Sequence, residues 1–479
     1  MFNSIVSSSA FFGTIDLTDF YLNAPLTSSQ FLKIYIDTYP PAVLSRLALL
    51  PFIKVDRSGK RYILFRIDKT MYGLKEAGKL SNERVVSLLK QHGFYETPTP
   101  CLFRYVSRSI VFVLVVDDFG VQYHHKSDFD FLVSCLSTLY HVKAHPVGTK
   151  FLGFNVTYNP LARTLAVSYP GYVASLLARL RPTGVRSAAS PSLYTPPSYG
   201  SRSPQSPPTD VSPAASPAQR QDLLVAVGYM LYYGRSVDSR VLQATCALAS
   251  EQANPTVATM ARLERLLGYA SAHPNARKVY RPSDMLLKVL TDASFLSRPK
   301  AGSVAASFHY LGLHNQPHFI QHPISAHSTR IPVVCSFVGE AEYAGIFAAA
   351  RLALTERNIL HDMGYPQPPT PIYCDNECAV GLSNDSIATK MSKSVDMRFN
   401  WIVDRVKQQQ FTVHHIPGVN NVADFFTKSL PVRRHQQLAR YIAFGESEPD
   451  IGLQLSDLQA LFLSDAVCLH RHHAGVLIS

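Results

Sequence analysis

At 479 residues with 46% hydrophobic side chains, the chain is long enough for two to four folded domains, which excludes disorder throughout. A total of 46 Lys and Arg against 34 Asp and Glu gives a formal charge of +12 and a pI near 9.3, a balance that suits a phosphate-rich partner and is shared by many basic proteins that bind no nucleic acid. Seven cysteines without regular spacing exclude a disulfide framework, and no apolar run of membrane-spanning length occurs.

In chain order, Phe11 to Ile15 reads as a short buried strand closed by Asp16, with Asp19, Phe20 and Tyr21 following. Tyr62-Ile-Leu-Phe-Arg-Ile67 alternates as a strand does. Lys69-Thr-Met-Tyr72-Gly73-Leu74-Lys75-Glu-Ala77 then begins a helix whose apolar face continues through Leu88 and Leu89. Every residue from Ile110 to Val116 is apolar, so this stretch is expected to be a strand buried on both faces. It runs straight into Asp117 and Asp118. Two carboxylates at a hairpin tip raise each other's pKa, and a divalent cation between them keeps both ionised; oxygen ligands favour Mg²⁺ or Mn²⁺. The other reading of the pair is a turn with solvated ends.

Tyr169 to Leu180 places Val173, Leu176, Leu177 and Leu180 on one helical face. Residues 182–217 shift to Ser, Pro and Ala and are expected to be a flexible insert without chemistry. Three apolar-periodic segments follow, Val227 to Tyr232, Val241 to Ala253 and Val257 to Tyr269. Asp284 to Leu290 reads as a strand that delivers Asp292, and Gly302 to Tyr310 as a hairpin-like segment. Gly339-Glu340-Ala-Glu342-Tyr343 opens a helix that stops at Gly364, before Pro366. Pro371 to Cys374 is another short strand, with Asp375 and Asn376 at its end. Cys374 and Cys378 flank Asp375, but one such pair is not a zinc site. The segment Val413 to Lys428 contains Asn420, Asn421, Ala423 and Asp424.

Jointly these motifs resemble the reverse transcriptase and ribonuclease H region of a Ty1/copia-type retrotransposon polyprotein, from about Thr14 to Leu438 apart from the insert. The resemblance implies an α+β chain. A palm with most of its fingers missing occupies 1–167, thumb and connection helices 168–283, a mixed α/β ribonuclease H-like domain 284–440, and a tail without match, including His470-Arg-His-His473, 441–479. It implies that Asp16, Asp117 and Asp118 hold two Mg²⁺ or Mn²⁺ ions for attack of a primer 3′-hydroxyl on a deoxynucleoside triphosphate. Tyr21 would lie under the incoming sugar and exclude a 2′-hydroxyl, with packing beneath the palm as the alternative for it and for Phe20. Asp19 would help position the triphosphate's metal, or serve as a turn or N-cap. Lys150-Phe-Leu-Gly153-Phe154 matches a strand that touches the primer end.

In the same way Asp292, Glu342, Asp375 and Asp424 become four acids holding two metal ions for cleavage of the RNA strand of an RNA–DNA hybrid. Glu340 is the lesser candidate, because acids at a helix N-terminus also answer to the helix dipole. Implied partners are an RNA template, a DNA primer, the hybrid and nucleotides, in a soluble intracellular setting, cytoplasmic in a virus-like particle or nuclear, without a membrane. Arg262, Arg265, Arg277, Lys278 and Arg281 either contact a heteroduplex backbone or form a solvated face. Three departures stand out. Leu80 replaces a usual Trp; Ser394 and Asn400 replace two His, so slow nuclease turnover is expected; and only fifteen residues precede Asp16, so impaired polymerisation is expected. A decayed remnant and a basic nucleic-acid-binding module are the alternatives from other classes.

Overall fold

The computed structural model describes residues 1–196, 207, 210–314, 320–387 and 393–444, of which 393–399 and 443–444 enter as helix backbone alone. The chain divides into two units: Phe11–Phe151, and Met1–Ala10 together with the residues from Leu152 on. The break therefore falls ahead of residue 167. The helix α1 (Phe2–Ser8) precedes the first unit and packs with the second.

The first unit begins with β1 (Phe11–Thr18). A separate three-stranded sheet follows, of β2 (Pro25–Tyr35), β3 (Lys54–Val55) and β4 (Arg61–Lys69) in the order β2-β4-β3, with α2 (Pro41–Arg46) between β2 and β3. Its small core of Ile36, Leu44 and Ile63 was legible only in part, since only 62–67 alternates cleanly. Next come α3 (Ala77–Gln91), β5 (Phe94–Glu96), β6 (Leu102–Tyr105), β7 (Ile110–Val115), β8 (Asp118–Tyr123), α4 (Lys126–Ser137), β9 (His141–His145) and β10 (Lys150–Phe151). The larger sheet runs β5-β6-β7-β8-β1-β9. Ile15 and Leu17 of β1 point into a core with Val85 and Leu89 of α3 and Phe129 and Leu132 of α4, which leaves Asp16 on the opposite face. The expectation that 110–116 is buried on both faces is corrected here. Burial alternates along β7 and leaves Val115 and Val116 40% and 48% exposed, because this antiparallel sheet carries its helices on one face.

In the second unit β11 (Phe154–Asn159), β12 (Thr164–Ser168) and, far along the chain, β13 (Arg277–Tyr280) form an antiparallel set. Between β12 and β13 lie α5 (Tyr172–Leu180), α6 (Pro217–Ser236), α7 (Leu242–Ala249) and α8 (Val257–Ala272). Val173 and Leu176 of α5 are buried against Leu223, Met230 and Leu263, as the periodicity of that helix anticipates. The Ser/Pro-rich insert is not flexible throughout. Its described flanks are docked: Arg265 donates to Ser190 Oγ, Ser192 Oγ to Gln243, and Val257 N to Pro213 O. Gly268 of α8 takes the backbone of Arg186, whose carbonyl oxygen would lie 2.1 Å from any Cβ there. Residues 197–206, 208 and 209 lie outside the described residues.

The rest is a five-stranded sheet of β14 (Leu286–Arg298), β15 (Gly302–Gly312), β16 (Ser325–Arg330), β17 (Thr370–Cys374) and β18 (Phe411–His415), in the order β16-β15-β14-β17-β18. The first three pair antiparallel and the last two join parallel. The long helix α9 (Val338–Asp362), α10 (Glu377–Ser383) and α11 (Lys393–Lys407) cover one face over Leu287, Val289 and Ile372. On the other, α12 (Asp424–Thr427) and α13 (Val432–Phe444) cover Leu290, Phe308 and Ala326. This is a mixed α/β domain, and the chain as a whole is α+β as expected. Among the described residues no helix is long and apolar enough to cross a membrane.

Candidate metal centres

In the first unit Asp16, Asp117 and Asp118 come together. β7 and β8 are joined by the two-residue turn Val116-Asp117, and β1 pairs with β8 so that Asp16 stands opposite Asp118. Leu17 N donates to Asp117 O at 3.1 Å, which ties the turn to β1. Val116 has φ +59°, an uncommon conformation for a β-branched residue, held by the pairs on either side. β9 adds Lys143 opposite Asp16, Nζ to Oδ2 3.8 Å, a neighbour that only the strand register reveals. Burial first, then the carboxylates of Asp117 and Asp16, hold Asp118 above the usual carboxylate range. Asp19, with φ +57°, lies exposed in the turn after β1, where its carbonyl accepts from Leu22 N and Asn23 Nδ2. Half-buried Tyr21 packs edge-on to Tyr72 at 4.9 Å, while Phe20 is buried in the core.

The second cluster is deeper. Asp292 is not delivered beyond a strand end, as the apolar run suggested. β14 stays paired with β15 past it, opposite Ala306, so the carboxylate sits mid-strand and fully buried. Glu342 extends from the first turns of α9 and accepts from Ala293 N at 3.0 Å, whereas Glu340 turns back to accept from Ser336 N and Oγ. Asp375 follows the last residue of β17, and Asp424 opens α12 instead of ending a strand. One oxygen from each of Asp292, Asp375 and Asp424 lies within 4.8 Å of the others, and so do donor atoms of Glu342, Cys374 and Asp375. Buried Asn421 holds α12 against β14: Nδ2 donates to Thr291 O at 2.9 Å, and Oδ1 accepts from Ala423 N at 3.1 Å. Gly418 lets its loop approach Asp375, whose Oδ2 lies 3.0 Å from where a Cβ would be.

Burial first, then the neighbouring acids, push Asp292 and Glu342 well above the usual carboxylate range, and Asp375 is raised for the same reason. Lys428 opposes this with its ammonium 3.4 Å from Asp292 Oδ1 and 2.6 Å from Asp424 Oδ1; the Thr427 hydroxyl also donates to Asp292. Buried like charges on oxygen, short of counter-charge, form a donor set that fits hard divalent cations.

Comparison with known proteins places these two clusters in context. The chain is 24% identical over 381 residues to the retrovirus-related Pol polyprotein of the transposon TNT 1-94 from Nicotiana tabacum, covering 78% of this chain and 28% of that protein. It is 24% identical over 409 residues to the Pol polyprotein of transposon RE1 from Arabidopsis thaliana, covering 82% and 26%. The chain is a homologue of Ty1/copia-type Pol polyproteins. It spans about a quarter of the length of these relatives. No family model matches. Among solved structures, a foamy viral protease-reverse transcriptase in complex with an RNA/DNA hybrid aligns at 15% identity and TM-score 0.45, over 88% of this chain and 46% of that one. The ribonuclease LC11-RNase H1 aligns at 16% and 0.24, over 30% and 93%.

Several residues that shape the clusters carried no expectation: Lys143, Asn421, Thr427 and Lys428. The last three lie beside or within recognised motifs, and the spacing of Asp424 and Lys428 by four residues was a readable helical pair. Of the five basic residues offered for a heteroduplex, Lys278 is only 2% exposed, Arg262 pairs with Glu251, and Arg265 is bound to Ser190. The side chain of Ser394 and the His470 to His473 cluster lie outside the described residues; Asn400 is exposed on α11.

Proposed function

We propose that this Pol segment cleaves the RNA strand of RNA–DNA hybrids at the centre made by Asp292, Glu342, Asp375 and Asp424. The single observation that carries the reading is that these four acids, from β14, α9, the end of β17 and α12, fall into two overlapping sets that share Asp375: Asp292, Asp375 and Asp424 in one, Glu342 with Cys374 and Asp375 in the other, each with donor atoms within 4.8 Å of one another. Bound there, Mg²⁺ or Mn²⁺ would lower the pKa of an attacking water and take up charge on the phosphate. The protein's own part is to hold the ligands in place: Ala293 N orients Glu342, Thr427 orients Asp292, and Asn421 fixes the start of α12. The net charge of +12 suits a phosphate-rich substrate. With a labelled hybrid and Mg²⁺, the full chain should cut the RNA strand, and Asp375→Asn should cut at least about a hundredfold more slowly. Equal rates for the two proteins would sink the assignment.

A second centre is favoured by Asp16 lying opposite Asp118 beside the Asp117 turn. In this reading it is a deoxynucleotidyl-transfer site on a primer and RNA template, with Tyr21 near the nucleotide. Primer extension that survives Asp118→Asn would remove it.

A further inference from the structure

Lys428 stands where a cation belongs. Its ammonium touches oxygens of Asp292 and Asp424, two members of the three-acid set whose oxygens lie within 4.8 Å of one another. One end of this contact is fully buried at Asp292, while the lysine side chain is 44% exposed. Lys428 follows Asp424 by four residues and lies just past the end of α12, so the segment that brings in the fourth acid also brings in its counter-charge. An ammonium is a compact point charge on a flexible stem, able to fill an ion's place without fixing coordination geometry. A divalent ion among the same oxygens would meet that positive charge at contact distance in a water-poor site, where repulsion is strong.

We propose that Lys428 is a tethered counter-cation of the nuclease cluster: it neutralises Asp292 and Asp424 before metal arrives, must leave them when a divalent ion binds, and so weakens metal affinity. This inference rests on the nuclease reading. It makes Lys428 a positioning residue that trades affinity for a cluster that stays folded without metal.

The test is Mn²⁺ binding to the full chain, followed by electron paramagnetic resonance, with the signal lost in Asp375→Asn defining the nuclease cluster. Lys428→Met should bind Mn²⁺ at least about threefold more tightly than the wild type. Lys428→Arg, which keeps the charge, should stay within about twofold. In EDTA, Lys428→Met should also melt below the wild type. A residue that merely supported the fold would weaken metal binding when removed, so tighter binding is the distinguishing sign. Equal or weaker binding by Lys428→Met overturns the proposal alone. Absence of any Mn²⁺ signal sensitive to Asp375→Asn overturns it together with the nuclease reading.

Discussion

The buried acids make a specific demand on stability as pH changes. Asp292, Glu342 and Asp375 are raised above their usual range in the fold, so between about pH 4 and their folded pKa values the native state holds protons that the unfolded chain has released. Stability must fall through that window as pH rises. Each unit of upward shift is worth about 1.4 kcal/mol, so one unit on each of Asp292 and Glu342 alone costs about 3 kcal/mol once both are ionised. For a unit of this size that is a loss of roughly 4 °C in Tm. Half-buried His327 and buried His435, both held down at about 4 chiefly by burial, act in the opposite sense, adding stability as pH rises towards about 6.5. The clean measurement is therefore a difference: Tm of the full chain minus that of Asp292→Asn/Glu342→Gln, in EDTA, from about pH 5 to 8.5. The difference should become steadily more negative with pH, and excess Mg²⁺ should reverse it by about 3 kcal/mol at a hundredfold excess over Kd. A difference that is flat, or that rises with pH, refutes the electrostatic account of the cluster.

Other outcomes follow from single contacts. Lys278 is buried on β13 and held down at about 8 by that burial, so Lys278→Met should raise stability at pH 7 by about 2 to 3 kcal/mol, a gain that fades as pH rises from about 8 and is gone near pH 10.5, as chemical denaturation at pH 7 and at about 10.5 will show. Gly268→Ala should destabilise by about 1 to 3 kcal/mol in the same assay, because the obstructing atom is the backbone carbonyl of Arg186 and cannot rotate away. Asn421→Ala frees the start of α12 from Thr291; hybrid cleavage should lose kcat roughly tenfold or more with little change in KM, and an unchanged kcat would show that Asn421 does not position Asp424.

What the amino-acid order discloses, and what it withholds, follows from the range of the forces involved. Local pattern was enough for α5, α9 and the β7–β8 turn, because hydrophobic period and turn chemistry act over a few residues. The same reasoning misjudged β7, since an all-apolar run does not say how many faces its sheet will cover. It also stopped β14 too early: a run ending at Leu290 gives no hint that pairing with β15 carries the strand past a charged Asp292. The insert was read from composition, which registers missing apolar bulk but not a serine or a carbonyl fitting beside Gly268. Lys143 became a partner of Asp16 through strand register, and Lys428 reached Asp292 through the placement of α12, neither of which short windows encode.

The position of α1 bears on how the second unit can be handled at the bench. Ile5 and Val6 are wholly buried, Arg163 grips the carbonyls of Val6 and Ser7, Ser4 meets Tyr365 and Asn3 reaches Gln321. A clone started at residue 152 would therefore have a hole in its own wall. Supplying the first ten residues as a free peptide, or splicing them ahead of Leu152 through a short tether, should restore the missing piece. That half of the molecule is thus a natural candidate for a split-protein pair, reassembled on demand by the addition of a single short helix.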